Sequence, residues 1–343
     1  MKAAVFHKAG EPLRIEEVAD PAPKGNEVVV QVGRCGICTS DLHLTEEHEG
    51  SLMSGLFPPG SILGHEFAGE IVAIGPDVTG LAIGDHVAPL AVSGCGHCEN
   101  CRAGDLFFCA NMAQRGGGYG EYALAQADAL IRLPAGLSLQ DGALVEPLAC
   151  GLHAARLSGV RPGSKVMVTG VGPIGLATIY WAKRLGASDI VAVARTARRS
   201  GLATEMGATR FLTADGDVPA KVAEALGGAP DIVFECAGQV GLVGQSIMCV
   251  RPRGTILVVG MCTHPDPVPH FYGAMKEVRI QYAVGYSLKD FQDVADALHA
   301  GRTEPSAMVT QTVSFGAFPD IFDALRGATP HVKVMLDPML SDD

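Results

Sequence analysis

The stretch Lys165-Val-Met-Val-Thr169-Gly170-Val-Gly172-Pro173-Ile174-Gly175 decides the fold of this 343-residue chain. A short apolar strand, Lys165–Thr169, runs into a glycine turn, and the residues from Ile174 to Leu185 suit a helix. The pattern Gly170-x-Gly172-x-x-Gly175 is weak evidence alone, since a plain tight turn also uses glycines. Between a strand and a helix it gains meaning: glycines let backbone approach a pyrophosphate at the helix N-terminus. Pro173 and Ile174 fall within that turn and open the helix.

Outward from this motif the chain keeps one rhythm. Asp189–Ala194, Asp231–Cys236 and Thr255–Gly260 are compact apolar runs, as expected of parallel strands covered on both faces. Val218–Leu226 and Val240–Val250 between them are long enough for crossover helices. The expectation is an α/β, doubly wound parallel sheet that binds a dinucleotide.

The end of the second strand selects the dinucleotide. An NAD site wants Asp or Glu roughly 20 residues past the glycines, on the ribose 2′-hydroxyl. That point reads Val193-Ala194-Arg195-Thr196-Ala197-Arg198-Arg199. The acid is missing, and guanidinium groups pair well with phosphate oxygens. The expected cofactor is therefore NADP, held at its 2′-phosphate by Arg195, Arg198 and Arg199, with NAD as the alternative. A solvated helix start is the plainer meaning of Arg198 and Arg199.

Before residue 152 the texture differs. Gly, Pro and short β-branched runs such as Glu27–Val32 and Glu70–Ile74 suggest an irregular β-rich barrel or sandwich. After about residue 288 the α/β rhythm breaks again, which suggests a tail returning to the first domain. The expected division is a catalytic domain of 1–151 and 289–343 with a dinucleotide-binding domain of 152–288.

Two cysteine-bearing patterns lie in the first part. Cys95-x2-Cys98-x2-Cys101-x7-Cys109 offers four thiolates, which satisfy a tetrahedral zinc and leave no position for substrate. Four reduced thiols in a loop near 93–110 would otherwise be an oxidation liability. The second pattern is split: Cys38-Thr39-Ser40-Asp41-Leu42-His43, then Gly64-His65-Glu66. A thiolate and an imidazole from separate loops suit a zinc with an open coordination position. A lone histidine is more often structural, but the company of Cys38 and Glu66 points His65 to a metal.

Composition excludes several classes. With 48% apolar and 18% charged residues the chain is globular rather than disordered. A formal net charge of −11 without blocks of like charge argues against a nucleic-acid partner. No apolar run of about 18 residues appears, and the N-terminus lacks a secretory signal core, so no membrane partner and a cytoplasmic location are expected.

Together, Gly36–His43, Gly64–Glu66, the four-cysteine lobe and Gly170–Gly175 resemble the zinc-containing medium-chain dehydrogenase/reductase family, across nearly the whole chain. Val145-Glu146-Pro147-Leu148 is similar to the sorbitol, 2,3-butanediol and threonine dehydrogenase branch. The resemblance implies a GroES-like catalytic domain and a Rossmann domain, two zinc ions per chain, and hydride transfer between an alcohol and a nicotinamide. It implies Cys38 and His65 as ligands of the catalytic zinc, with Glu66 or Glu146 as the third and Asp41 orienting a histidine. Cys150 shares a helical face with Glu146 and is a poorer ligand. It implies further that Ser40 takes the hydroxyl proton and relays it through the cofactor ribose to His43. Lys333 aligns with a basic residue on the cofactor phosphate. The substrate implied is a secondary alcohol, diol or polyol, or the matching ketone, and the assembly a homotetramer or homodimer. Cys35, Cys236, Cys249 and Cys262 read as residues without a functional role.

Two rival readings remain. A zinc-free quinone reductase of the same superfamily lacks both ligand sets. A silent relative with a structural or binding role keeps the fold and the four-cysteine zinc, yet has no need of Cys38, Ser40, His43, His65 and Glu66 together.

Overall fold

The computed structural model describes residues 1–46 and 57–342. The loop Thr45–Pro59, which the sequence suggests as a shaper of the substrate pocket, lies largely outside the described residues. The chain forms two compact units, Met1–Glu146 with Ser287–Asp343, and Pro147–Tyr286.

The second unit is built on six strands, all parallel. In spatial order they are Arg210–Thr213, Asp189–Ala194, Lys165–Thr169, Ile232–Glu235, Thr255–Val258 and Arg279–Tyr282. Numbered along the chain this is order 3-2-1-4-5-6, the doubly wound arrangement that binds a dinucleotide where the strand order reverses. The apolar runs are strands because both faces are covered. Met167, Val191, Val193, Val233, Ile256 and Val258 meet Val222, Leu226, Val243 and Ile247 of the crossover helices in one buried cluster. Each such side chain contributes about 1.5–3 kcal/mol on leaving water.

The helix after the glycine turn spans Pro173–Arg184, with Gly172 as N-cap and proline in its first turn. Proline is at home there because the first N–H groups of a helix have no partner within it. The strand–turn–helix junction needs its glycines. Gly170 sits at φ +89°, and a Cβ on Gly175 would lie 1.9 Å from the Gly170 carbonyl oxygen.

The first unit is β-rich. Strand Glu27–Gly36 is its centre, pairing with Glu66–Ile74, Tyr122–Gln126 and Lys333–Leu336. The strand Lys333–Leu336 is followed outward by Val309–Val313, and Glu66–Ile74 by His86–Pro89 and then Leu130–Arg132. A separate three-stranded sheet orders Arg14–Glu17, Lys2–Phe6 and Ser61–Ile62. The core gathers Val28, Val30, Val32, Phe67 and Ile71 with Tyr119, Phe315, Phe318 and Phe322.

The change of texture near residue 152 falls inside one helix, Leu139–Leu157, within which the two units divide between Glu146 and Pro147. A helix buried along most of its length carries no compositional mark at such a point.

Candidate functional site

Strand Glu27–Gly36 ends at Ile37, and the chain turns into a short helix, Thr39–Thr45. Cys38 is the N-cap of this helix, so its thiol stands at the helix mouth while Ser40, Asp41 and His43 follow on the first turns. Gly64, at φ +83°, turns the chain just before His65, and Glu66 opens the strand paired to Glu27–Gly36. Two neighbouring strand ends thereby bring Cys38, His65 and Glu66 together. One donor atom from each lies within 4.8 Å of the others.

The surroundings of these donors suit a cation. Asp41, 4% exposed, sets Oδ1 3.4 Å from His65 Nδ1. Burial alone would lower the affinity of His65 for a proton, yet Asp41 and Cys38 outweigh it and hold the imidazole well above its ordinary pKa. The carboxylate of Asp41 and the thiol of Cys38 beside His65 give the site the negative character that suits a cation. The Ser40 hydroxyl donates to Cys38 Sγ at 3.2 Å. His43 is 43% exposed, with Nδ1 3.4 Å from Glu46 Oε2.

Glu66 has a partner that the sequence did not reveal. Lys333 Nζ donates to Glu66 Oε1 at 2.8 Å and Oε2 at 2.5 Å, and to the Ile37 carbonyl at 2.9 Å. Both charged side chains are 1% exposed. The sequence expectation places Lys333 on a cofactor phosphate; here its ammonium is turned to Glu66 and the Ile37 carbonyl. Three acceptors match the three donors of the buried ammonium. Glu146 is buried on the helix Leu139–Leu157 and bears electrostatically on Lys333, but it is not among the mutually close donors.

The four cysteines also converge, each offering a sulfur within 4.8 Å of the rest, and all are free thiols. Cys98 caps the helix Glu99–Ala103 and accepts from the Cys101 N–H, while Cys95 N–H points to Cys109 Sγ at 3.3 Å. Thiols so close cannot ionise independently. The backbone N–H of His97 leads in pulling Cys95 down to about 6, whereas burial leads in pushing Cys101 up to about 12. A soft cation removes that conflict by stabilising all four thiolates.

In the other unit, the glycine turn is a cradle of the right kind. A Cβ on Gly172 would meet nothing within 4 Å, although Gly170 and Gly175 are tightly enclosed. That open space lies at the mouth of a 12-residue helix, where phosphate is favoured. Arg199 Nη1 donates to the Val171 carbonyl inside the turn at 3.2 Å. Arg195 and Arg198 are exposed beyond the strand Asp189–Ala194.

Other cysteines keep quieter roles. Burial pushes Cys35 well up, and likewise raises Cys236 to about 12 and Cys249 to about 11, the mark of inert packed thiols. The sequence suggests the stretch around Tyr119 only as a shaper of the substrate pocket; the Tyr119 hydroxyl in fact donates to Asp41 Oδ2 at 2.5 Å. Its only sequence signal is a buried-type aromatic in a run of glycines.

A β-rich unit with two metal-suited donor sets, joined to a doubly wound dinucleotide-type sheet, defines a zinc-dependent dehydrogenase of the medium-chain kind. Known proteins agree. Residues 24–135 match the alcohol dehydrogenase GroES-like domain, and residues 173–300 the zinc-binding dehydrogenase family. The chain is 31% identical to sorbitol dehydrogenase of Halalkalibacterium halodurans, over 99% of this chain and 100% of that one. It is 32% identical to (R,R)-butanediol dehydrogenase of Bacillus subtilis, over 98% and 100% respectively. A zinc-binding dehydrogenase of Sinorhizobium meliloti, solved bound to NADP, superposes with a TM-score of 0.89 at 32% identity, covering 98% of this chain and 99% of that one. The chain belongs to the zinc-containing alcohol dehydrogenase family of medium-chain oxidoreductases, which act on CH–OH groups with a nicotinamide cofactor. No helix among the described residues is long and apolar enough to cross a membrane.

Proposed function

We propose that this protein is an NADP(H)-dependent dehydrogenase of secondary alcohols, diols or polyols, reducing the matching ketones in the reverse direction. The observation that carries the reading is the convergence of Cys38, His65 and Glu66 beside Ser40, in a chain that also bears the glycine cradle. The sorbitol and butanediol relatives support the substrate class.

Cys38 and His65 are the fixed ligands of a catalytic zinc. Glu66 is the favoured third ligand because its oxygen already lies with theirs, and Glu146 is the alternative. Zinc bound there supplies Lewis-acid chemistry, the effect that brings water from a pKa of about 15.7 to about 7. Ser40 accepts the hydroxyl proton of the alcohol, and His43, half exposed, passes it to solvent. A nicotinamide held at the glycine cradle would take up the carbon-bound hydrogen with its electron pair, which balances two-electron oxidation of the alcohol with release of one proton. Cys95, Cys98, Cys101 and Cys109 hold a second, structural zinc that lacks an open position.

Arg195, Arg198 and Arg199 favour NADP. Arg199 bonds to the phosphate-binding turn itself, and no acid stands at the end of the strand Asp189–Ala194. Residues 1–146 and 287–343 serve as the catalytic domain and residues 147–286 as the dinucleotide-binding domain. The strand Arg279–Tyr282 is exposed along its length, with Tyr282 at 70% and nearby Met275 at 70%. Such an apolar edge supports a homodimer or homotetramer paired through it. A cytoplasmic location fits ten free thiols.

The test is a panel of alcohols and ketones assayed with NADP(H) and NAD(H) side by side, together with zinc analysis. Turnover of secondary alcohols or polyols with NADP preferred, and two zinc ions per chain, is the expected result. Higher kcat/KM with NAD would remove the arginine argument.

A further inference from the structure

We propose that Tyr119 is a positioning residue for His65: its hydroxyl orients the ligand through one route, and a second, backbone route seats the tyrosine beside it; the inference rests on the assignment of His65 to the catalytic zinc.

The first route is through the side chain. Tyr119 is fully buried and donates its phenolic hydrogen to Asp41 Oδ2 at 2.5 Å. The other oxygen of the same carboxylate, Oδ1, stands 3.4 Å from His65 Nδ1. Asp41 is thus gripped on one side by Tyr119 and faces the imidazole on the other, which orients the ring through Nδ1. Burial, reinforced by the Asp41 charge, holds the phenol well above its ordinary pKa, so it remains a hydrogen donor throughout the working range.

The second route is through the backbone. The N–H groups of Gly117 and Tyr119 both donate to the Leu63 carbonyl at 3.1 Å, and the N–H of Gly118 donates to the Gly64 carbonyl at 2.9 Å. Gly64 immediately precedes His65, and a Cβ there would come within 2.5 Å of the Tyr119 ring. The phenol therefore packs closely against the backbone that delivers His65. Phe318 and Phe322 hold the ring from elsewhere in the unit, with centroids 4.8 and 6.2 Å away. A phenylalanine at 119 would satisfy the packing, so the hydroxyl is needed only for Asp41.

The experiment isolates the hydroxyl route from the packing that seats the ring. Wild type, Tyr119→Phe and Phe318→Leu are equilibrated with graded zinc chelator, and bound zinc and kcat/KM are read together. Tyr119→Phe keeps the ring and removes one hydroxyl. It should release the Cys38–His65 zinc at about tenfold lower chelator, the lower end of the range for partners of metal-bound histidines. The four-cysteine zinc should stay, and added zinc should restore activity. Phe318→Leu disturbs the packing while sparing the hydroxyl, and should leave zinc affinity within about twofold of wild type. If Tyr119→Phe fails to fold, Asp41→Asn should loosen the same zinc. Wild-type zinc affinity in Tyr119→Phe, equal loss in Phe318→Leu, or unchanged affinity in Asp41→Asn would overturn the proposal. His65→Ala tells this failure apart from failure of the zinc assignment: if that variant keeps both zinc ions, His65 is not a ligand at all.

Discussion

Lys333 and Glu66, 267 positions apart in the chain, form a fully buried ion pair whose carboxylate also faces Cys38 and His65. A lone buried charge is far costlier than a paired one, because the low-dielectric interior cannot replace hydration. Lys333→Met should therefore destabilise the protein by about 3 kcal/mol, at the low end of values for breaking buried pairs. Urea unfolding measures this. A raised KM for NADP with unchanged stability would instead mean that the ammonium serves the cofactor.

Arg199 makes a separable contribution. Its bond to the Val171 carbonyl directs the guanidinium at the glycine turn. A hydrogen bond to a charged group contributes about 1.5–3 kcal/mol, or roughly 10- to 100-fold in affinity. Arg199→Ala should raise the KM for NADP by about that factor and change the KM for NAD by less than about threefold. Equal losses for both dinucleotides would show that the arginine shapes the turn rather than reads a 2′-phosphate.

Much of this site is visible in the sequence because its chemistry is local. Gly170–Gly175 and Cys95–Cys109 are contiguous, and spacing alone limits what they can do. The strands around them are also legible, since Lys165–Thr169 and Asp189–Ala194 are apolar runs with both faces buried. What sequence reasoning missed depends on contacts across the sheet. Lys333 reaches Glu66 because Lys333–Leu336 and Glu66–Ile74 both flank Glu27–Gly36. Tyr119 meets Asp41 across 78 positions, and nothing in either neighbourhood marks the other. The division at Glu146 and Pro147 is hidden for a different reason: helical periodicity continues through it.

The four-cysteine lobe should depend on its metal for local order. Its helix Glu99–Ala103 is five residues long and buries none of them, so packing cannot hold it. Cys98→Ser should cost one zinc per chain and leave the Cys38–His65 zinc in place. Mild proteolysis should then cut near residues 95–109, where wild type resists. Resistance equal to wild type would show that the lobe is ordered without its ion.

Asp231 provides a pH-dependent term away from either metal set. Burial tends to raise its pKa, but the Lys165 N–H at 2.8 Å and Arg251 Nε at 2.6 Å prevail and lower it below the ordinary 3.8. A depressed folded-state pKa contributes stability that is present above the unfolded value and lost as pH falls through the folded one. Asp231→Asn should therefore be less stable than wild type at pH near 7 by about 1 kcal/mol. The difference should shrink as pH drops below about 4. Urea titrations across that range decide it, and a difference independent of pH would assign the effect to packing.

The proton path predicts a catalytic loss without a binding loss. Ser40 lies against Cys38 Sγ, and His43, 43% exposed, lies a turn further along the same short helix. Ser40→Ala should lower kcat by about 10²- to 10⁴-fold, the usual range for general acid–base groups. Zinc content and the dissociation constant for NADP should remain within about twofold. A loss of zinc equal to the loss of activity would make Ser40 a support for Cys38 only.

Alcohol oxidation that depends on the Cys38–His65 site can be followed in one titration. Reduced nicotinamide formed from NADP and a polyol or secondary alcohol is followed as the protein is stripped by chelator and then given zinc back. Formation should stop once the weaker-held zinc per chain is gone and return when zinc is restored. Reduced nicotinamide formed equally fast by the stripped protein would contradict that dependence.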